Sequence, residues 1–279
     1  MNNSIYPCLW FDGEAKEAAS FYCSIFNNSK ITTDSQMVVK FELEGKAIMG
    51  LNGGPMFKIN PAISFFVTCQ SNEEIESYWN KLIEGGNAMM ALNNYPWAEK
   101  YGWLVDKFGM TWQLMLGELP ANGRKIAVSL LFVNEQFGKA REAIETYTAI
   151  FPDSHVDTLQ LYEAGEGQPV GFLKFGHFSL NKEVFAAMDG PGDHQFKFNE
   201  GVSFVVECEK QEEIDYYWNK LTEDGKESRC GWLVDKFGVS WQIVPAVIAS
   251  LMTDPEKAPR VMQAVMKMKK LDIETLVNA

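Results

Sequence analysis

The chain has 279 residues, of which 46% are hydrophobic, 13% aromatic and 22% charged; this is a globular composition, long enough to build two cores without disulfide support. A formal charge of -12 repels phosphate backbones and argues against a nucleic-acid partner, and no apolar run approaches the roughly 20 residues that span a bilayer, so no membrane partner is expected. None of the five cysteines is in C-x-x-C spacing, and the opening MNNSIYPCLW lacks a basic stretch followed by an apolar one, which predicts reduced thiols and a cytoplasmic location.

In chain order, YPCLWF reads as a strand. Ala15, Ala18, Ala19, Tyr22 and Phe26 then recur at the spacing of one buried helix face. MVVKFEL, KAIMGL and AISFFVTC read as further strands, and Ile75, Tyr78, Trp79 and Leu82 as the apolar side of a second helix. Glu73 and Glu74 open that helix, where acidic residues favour its dipole. GWLVD and MTWQLM close the first half as strands.

The second half repeats the first. Residues 63–86 recur at 202–225, and GWLVDKFGMTWQL at 102–114 recurs as GWLVDKFGVSWQI at 231–243. Between those blocks the first half carries NAMMALNNYPWAEKY where the second has only KESRC, an insertion suited to a surface or pocket-rim loop. Ala140, Ala143, Ile144, Tyr147 and Phe151 restate the first helix, and Ile214, Tyr217, Trp218 and Leu221 the second. Each half therefore reads as two βαβββ units, expected to pair with each other into one curved mixed sheet with helices outside, an α+β fold. The predicted division is residues 1–120, residues 121–247 and a helical tail over 248–279. On that tail Val261, Met262, Val265, Met268 and Leu271 share a side, to pack on the body or, as the rival reading, to form a homodimer contact. Lys267, Lys269 and Lys270 read as its solvated face.

The strings CLWFDGEAKEAASFY, GWLVDKFGMTWQL, RCGWLVDKFGVSWQIVP and VMQAVMKMKKLDIETL resemble the PhnB-like family, labelled as 3-demethylubiquinone-9 3-methyltransferase domains. That family is placed in the vicinal oxygen chelate superfamily with glyoxalase I, extradiol dioxygenases and antibiotic-resistance proteins. The resemblance implies tandem glyoxalase-like domains. It also implies a divalent metal held by His and Glu on the concave face of a sheet. The matching positions here are Tyr6 on the first strand, Asn52 and Asp189 at the ends of the fourth strands, Ser64 and Ser203 on the next strands, and Gln113 and Gln242 on the last. Amide and hydroxyl oxygens are poor ligands for zinc or nickel, so no metal and no cofactor are expected. Methyl transfer would call for a Gly-rich turn on a doubly wound sheet, and no G-x-G-x-x-G occurs. NGGP and DGPG read as turns.

These polar positions, ringed by aromatics, predict a small-molecule binding protein, similar in principle to antibiotic-binding resistance proteins. Trp97, in the insertion, and Cys230, beside Arg229, are added as candidate ligand contacts. His155, His177 and His194 read as structural. The alternative function is a metal-dependent lyase, dioxygenase or transferase of the same superfamily.

Overall fold

In the computed structural model, which describes residues 3–120 and 122–279, each sequence stripe becomes the buried side of an element. The first unit runs β1 (Ile5–Phe11), α1 (Ala15–Ile25), β2 (Lys30–Asp34), β3 (Val38–Leu43) and β4 (Lys46–Asn52). The second runs β5 (Ile63–Cys69), α2 (Asn72–Leu82), β6 (Asn87–Tyr95), β7 (Ala98–Val105) and β8 (Thr111–Leu116). The third repeats the order with β9 (Ile126–Phe132), α3 (Ala140–Ile150), β10 (His155–Leu161), β11 (Leu173–Leu180) and β12 (Glu183–Asp189). The fourth has β13 (Val202–Cys208), α4 (Gln211–Leu221), β14 (Lys226–Glu227), β15 (Trp232–Val234) and β16 (Ser240–Pro245). A tail of α5 (Ile248–Leu251), α6 (Ala258–Lys267) and α7 (Ile273–Val277) follows.

Local chemistry sets the boundaries. Ser71 caps α2 by accepting from the Glu74 amide at 3.2 Å, while the Glu74 carboxylate accepts from the Gln70 amide at 2.8 Å, a reciprocal cap. The β3–β4 turn places Glu44 and Gly45 at φ 49° and 76°, and the β11–β12 turn places Asn181 and Lys182 at 46° and 71°. Two successive positive φ angles are the signature of the type I′ hairpin, whose twist matches that of its strands.

The fold class is as expected: α+β, with four βαβββ units and two eight-stranded mixed sheets. The pairing of units is not. One sheet runs β14-β15-β16-β13-β1-β4-β3-β2 and the other β10-β11-β12-β9-β5-β8-β7-β6. The first unit therefore pairs with the fourth, and the second with the third. At each centre an antiparallel pair joins the halves, Cys8 opposite Ser203 in one sheet and Ser64 opposite Ser129 in the other. The two units of one half meet instead through the core. Tyr22 of α1 donates to Asp106 after β7 at 2.8 Å, and Tyr147 of α3 donates to Asp235 after β15 at 2.7 Å. One apolar cluster containing residues of α1–α4 runs between the sheets, with Trp112 and Trp241 fully buried against Phe26 and Phe151.

The tail stripe packs on the body. Val261, Val265, Leu271 and Leu276 are buried in a satellite cluster with Cys230 and Met268, while Met266 stays exposed.

Candidate functional site

Period-two alternation gives each central strand two faces. In β13, Val202, Phe204 and Val206 enter the helical core, which turns Ser203, Val205 and Glu207 to the other side; in β5, Ile63, Phe65 and Val67 enter it and Ser64, Phe66 and Thr68 face away. That second face is concave in both sheets. Phe66 of β5 and Phe175 of β11 approach to 5.8 Å between ring centroids although β12 and β9 lie between their strands. A flat sheet would hold them about 14 Å apart at its normal strand spacing. The small side chains of Ala127 and Ala186 on the intervening strands permit that closure.

The face of the β5–β9 sheet centres on Gln113. Its Nε2 donates to Ser64 Oγ at 2.7 Å and to Ser129 Oγ at 3.3 Å, and its Oε1 accepts from the Tyr101 hydroxyl at 2.7 Å. Burial pushes the Tyr101 phenol up, with Tyr95 adding to the shift, so it stays protonated as a donor. Tyr95 and Trp97 stack at 5.0 Å and stand against Tyr101 at 5.9 and 6.2 Å. The insertion bearing them is no loose loop: it lengthens the β6–β7 hairpin at the sheet edge, with Trp97 exposed at its turn. Trp103, directly opposite Gln113 in the ladder, holds a buried Nε1 with no hydrogen-bond partner among the described residues.

The face of the β1–β13 sheet repeats the centre with different rims. Gln242 Nε2 donates to Ser203 Oγ at 2.9 Å. Burial pushes the Cys8 thiol up to about 12, against the opposing pull of Gln242 and Ser203, which leaves it a protonated and inert side chain. The Ser240 hydroxyl beside them is buried without a partner among the described residues. Farther out, Lys40 of β3 reaches across β4 and β1 to Glu207 at 2.9 Å, and the Tyr6 hydroxyl donates to the same carboxylate oxygen. Burial, then Glu207, pushes the Tyr6 phenol well above its ordinary value. An ion pair thus crosses this face where an aromatic pair crosses the other.

The Ser–Gln pairs proposed from sequence are therefore brought together in both sheets. Asn52 and Asp189 are not among them. Asn52 Oδ1 accepts from the Ala15 amide at 3.0 Å, and Asp189 accepts from the amides of Gly138, Ala140 and Leu173 at 2.7, 3.2 and 2.7 Å; each ties the end of a strand to the start of the neighbouring helix. Burial raises the Asp189 carboxyl despite those three donors. Cys230 leaves the face as well: its sulfur lies 3.7 Å from Met266 Sδ under the tail, and its amide donates to the Met268 carbonyl. Tyr6 shares the concave face, two ladder positions from the Cys8–Ser203 pair, but bonds Glu207. Sequence reading missed the residues that take the third place at each centre, Cys8 and Ser129. The alternation Tyr6, Cys8, Trp10 was the available signal for the first.

The donor sets do not fit the metal that the superfamily resemblance implies. Amide, hydroxyl and protonated thiol converge where imidazole and carboxylate would be needed, and no cluster of His, Cys, Asp and Glu suited to a metal occurs among the described residues. His177 of β11 bonds Asp157 of β10 at 3.0 Å, and His155 bonds Asp157 within β10 at 3.0 Å and Ser179 of β11 at 2.8 Å, fastening the two strands. His194 bonds the Pro191 carbonyl in a turn. Among the described residues no helix is long and apolar enough to cross a membrane.

The model of the family described as 3-demethylubiquinone-9 3-methyltransferase matches the chain twice, at residues 3–115 and 124–244. The PhnB protein of Bacillus cereus is 35% identical over 40% of this chain and 98% of its own, with a TM-score of 0.39. Glyoxalase I from Zea mays aligns over 91% of this chain and 97% of its own at 10% identity and a TM-score of 0.58, a likeness of fold. No curated protein matches the chain.

Proposed function

The chain belongs to the 3-demethylubiquinone-9 3-methyltransferase family, and we propose that within it this protein binds a small, flat, uncharged molecule on the concave face of the β5–β9 sheet. The observation that carries this reading is Trp103: a buried indole N–H without an acceptor, opposite Gln113 and among Phe66, Tyr101, Phe175 and Met115. A buried donor left unpaired costs about 1–3 kcal/mol, and a ligand carbonyl would recover it. Aromatic walls supply affinity for a planar ring system, and the Tyr95–Trp97 stack at the hairpin turn forms the rim.

Neither sheet is the doubly wound parallel sheet that cradles S-adenosylmethionine on a Gly-rich turn, so the family label supplies no step that these residues can be assigned. Binding to a concave face filled by amide and hydroxyl groups is the chemistry they support.

Coumarin, a flat neutral carbonyl compound, tests the reading by tryptophan fluorescence titration. Trp103→Phe removes the donor and keeps the ring; it is expected to weaken coumarin binding about fivefold to thirtyfold, and Trp97→Ala to weaken it by a smaller factor. Equal affinity of wild type and Trp103→Phe, or no saturable binding to wild type, would sink the proposal.

A further inference from the structure

The two halves differ on the helical side of the molecule, where one position opens a cavity in the second half and fills it in the first. The cavity, about 290 Å³, lies between α3, the end of α4 and the turn after β15, with Tyr147, Ile150, Leu221 and Phe237 among its apolar walls. Tyr22 and Tyr147 are equivalent, each donating its hydroxyl to the buried aspartate of a D-K-F-G turn. The residue before Tyr22 is Phe21, and the residue before Tyr147 is Thr146. In the first half Phe21 packs edge-on against Phe108 at 5.7 Å, with Lys107 Nζ 4.7 Å from its ring centre. In the second half Phe237 keeps the edge-on rings of Tyr147 and Phe132, at 5.7 and 6.1 Å, but the place of Phe21 is taken by Thr146, which lines the cavity.

The rim has diverged too. Where the first half has Lys81, Glu84 and Gly85, the second has Lys220, Glu223 and Asp224, so one carboxylate has been added at the mouth. Lys236, also at the rim, is held by Glu142 at 2.7 Å. Lys220, Glu223 and Asp224 make no ion pair among the described residues, which leaves the rim with one more free negative charge than positive. Asp235, at the base, is not available to a ligand, because Tyr147, Trp241 and the amides of Phe237 and Val239 already donate to it.

We infer that this cavity is a second binding site, separate from the concave faces, which takes a small arylalkylammonium: the aromatic ring occupies the space that Phe21 fills in the first half, and the ammonium meets Glu223 and Asp224. Shape selects the ring, since the first half shows that a phenyl group fits between this helix and this turn. Charge selects the cation.

Phenethylamine, protonated at pH 7, is the probe, with 3-phenylpropionate as its anionic counterpart. Both are titrated against the intact protein by calorimetry and saturation-transfer NMR. Wild type is expected to bind phenethylammonium and to prefer it over 3-phenylpropionate by about threefold or more, the reach of an exposed ion pair. Thr146→Phe restores the first half's filling and is expected to weaken phenethylammonium at least about tenfold, through loss of the buried ring area. Asp224→Gly restores the first half's rim at a residue whose φ is 58°, a conformation that glycine adopts freely, so this variant folds whether or not Thr146→Phe does. It is expected to abolish the preference for the cation. Binding unchanged in Thr146→Phe, a cation preference unchanged in Asp224→Gly, or no binding of phenethylammonium to wild type at millimolar concentration would each overturn the inference.

Discussion

Lys46 and Glu183 hold the first position of equivalent strands, β4 and β12, in the two halves, and their side chains meet across the sheets at 2.9 Å. Each follows a type I′ turn, so the two hairpins point their first residues at one another. Were the halves identical here, lysine would face lysine or glutamate would face glutamate. The duplication has resolved that clash by divergence, and Lys46, only 4% exposed in its side chain, depends on the carboxylate opposite.

Removing one member of a buried pair strands the other charge, at a cost of about 3–5 kcal/mol. Lys46→Met and Glu183→Leu are each expected to lower stability by about that much. The double variant is expected to return to within about 1 kcal/mol of wild type. Urea unfolding midpoints at neutral pH measure the difference; two single effects that simply add would show that the pair is not coupled.

Asp106 and Asp235 should make stability rise as pH falls from about 6 toward 4. Burial raises both carboxyls from 3.8 to about 6, against four donors each that oppose the shift. In that window the native chain takes up protons that the unfolded chain does not, so acidification favours the native state, and the contribution is lost as pH rises through 6. Asp235→Asn is expected to flatten the slope. Midpoints measured between pH 4 and 7 for wild type and variant decide it.

Asp189 is a helix anchor, and its replacement should act on stability alone. Asp189→Ala leaves the amides of Gly138, Ala140 and Leu173 without their shared acceptor. A loss of about 2–3 kcal/mol is expected, with coumarin affinity unchanged in the folded protein. A drop in affinity without a drop in stability would return this carboxylate to the binding face.

Much of this was legible in the residues. The stripe Ala15, Ala18, Ala19 and Tyr22 has one reading, because only a helix brings those positions together, and the recurrence of D-K-F-G-x-[ST]-W-Q fixed the repeat. Two kinds of feature were not legible. The edge strands β2 and β10 are exposed along most of their length, so neither shows the apolar alternation that marks a half-buried strand. Which unit pairs with which is also invisible to local pattern, since β1 would look the same beside any antiparallel neighbour. The polar positions were hard to sort for a related reason. Asn52 and Asp189 stand at strand ends, where the first amides of α1 and α3 need an acceptor, and polarity alone does not distinguish a cap from a ligand contact. Cys8 was overlooked because its partner Ser203 arrives from the opposite half of the chain.

The same pairing has a consequence for the protein as it is being made. Translation delivers β1 well before its antiparallel neighbour β13, and the whole of the second and third units emerges between them. Those two units can close their own sheet while the chain is still growing. The opening unit cannot, and until the fourth is synthesised it presents the edge of β1 unpaired, with the apolar run IYPCLWF along it. On the ribosome the second and third units can close before the unit that precedes them does.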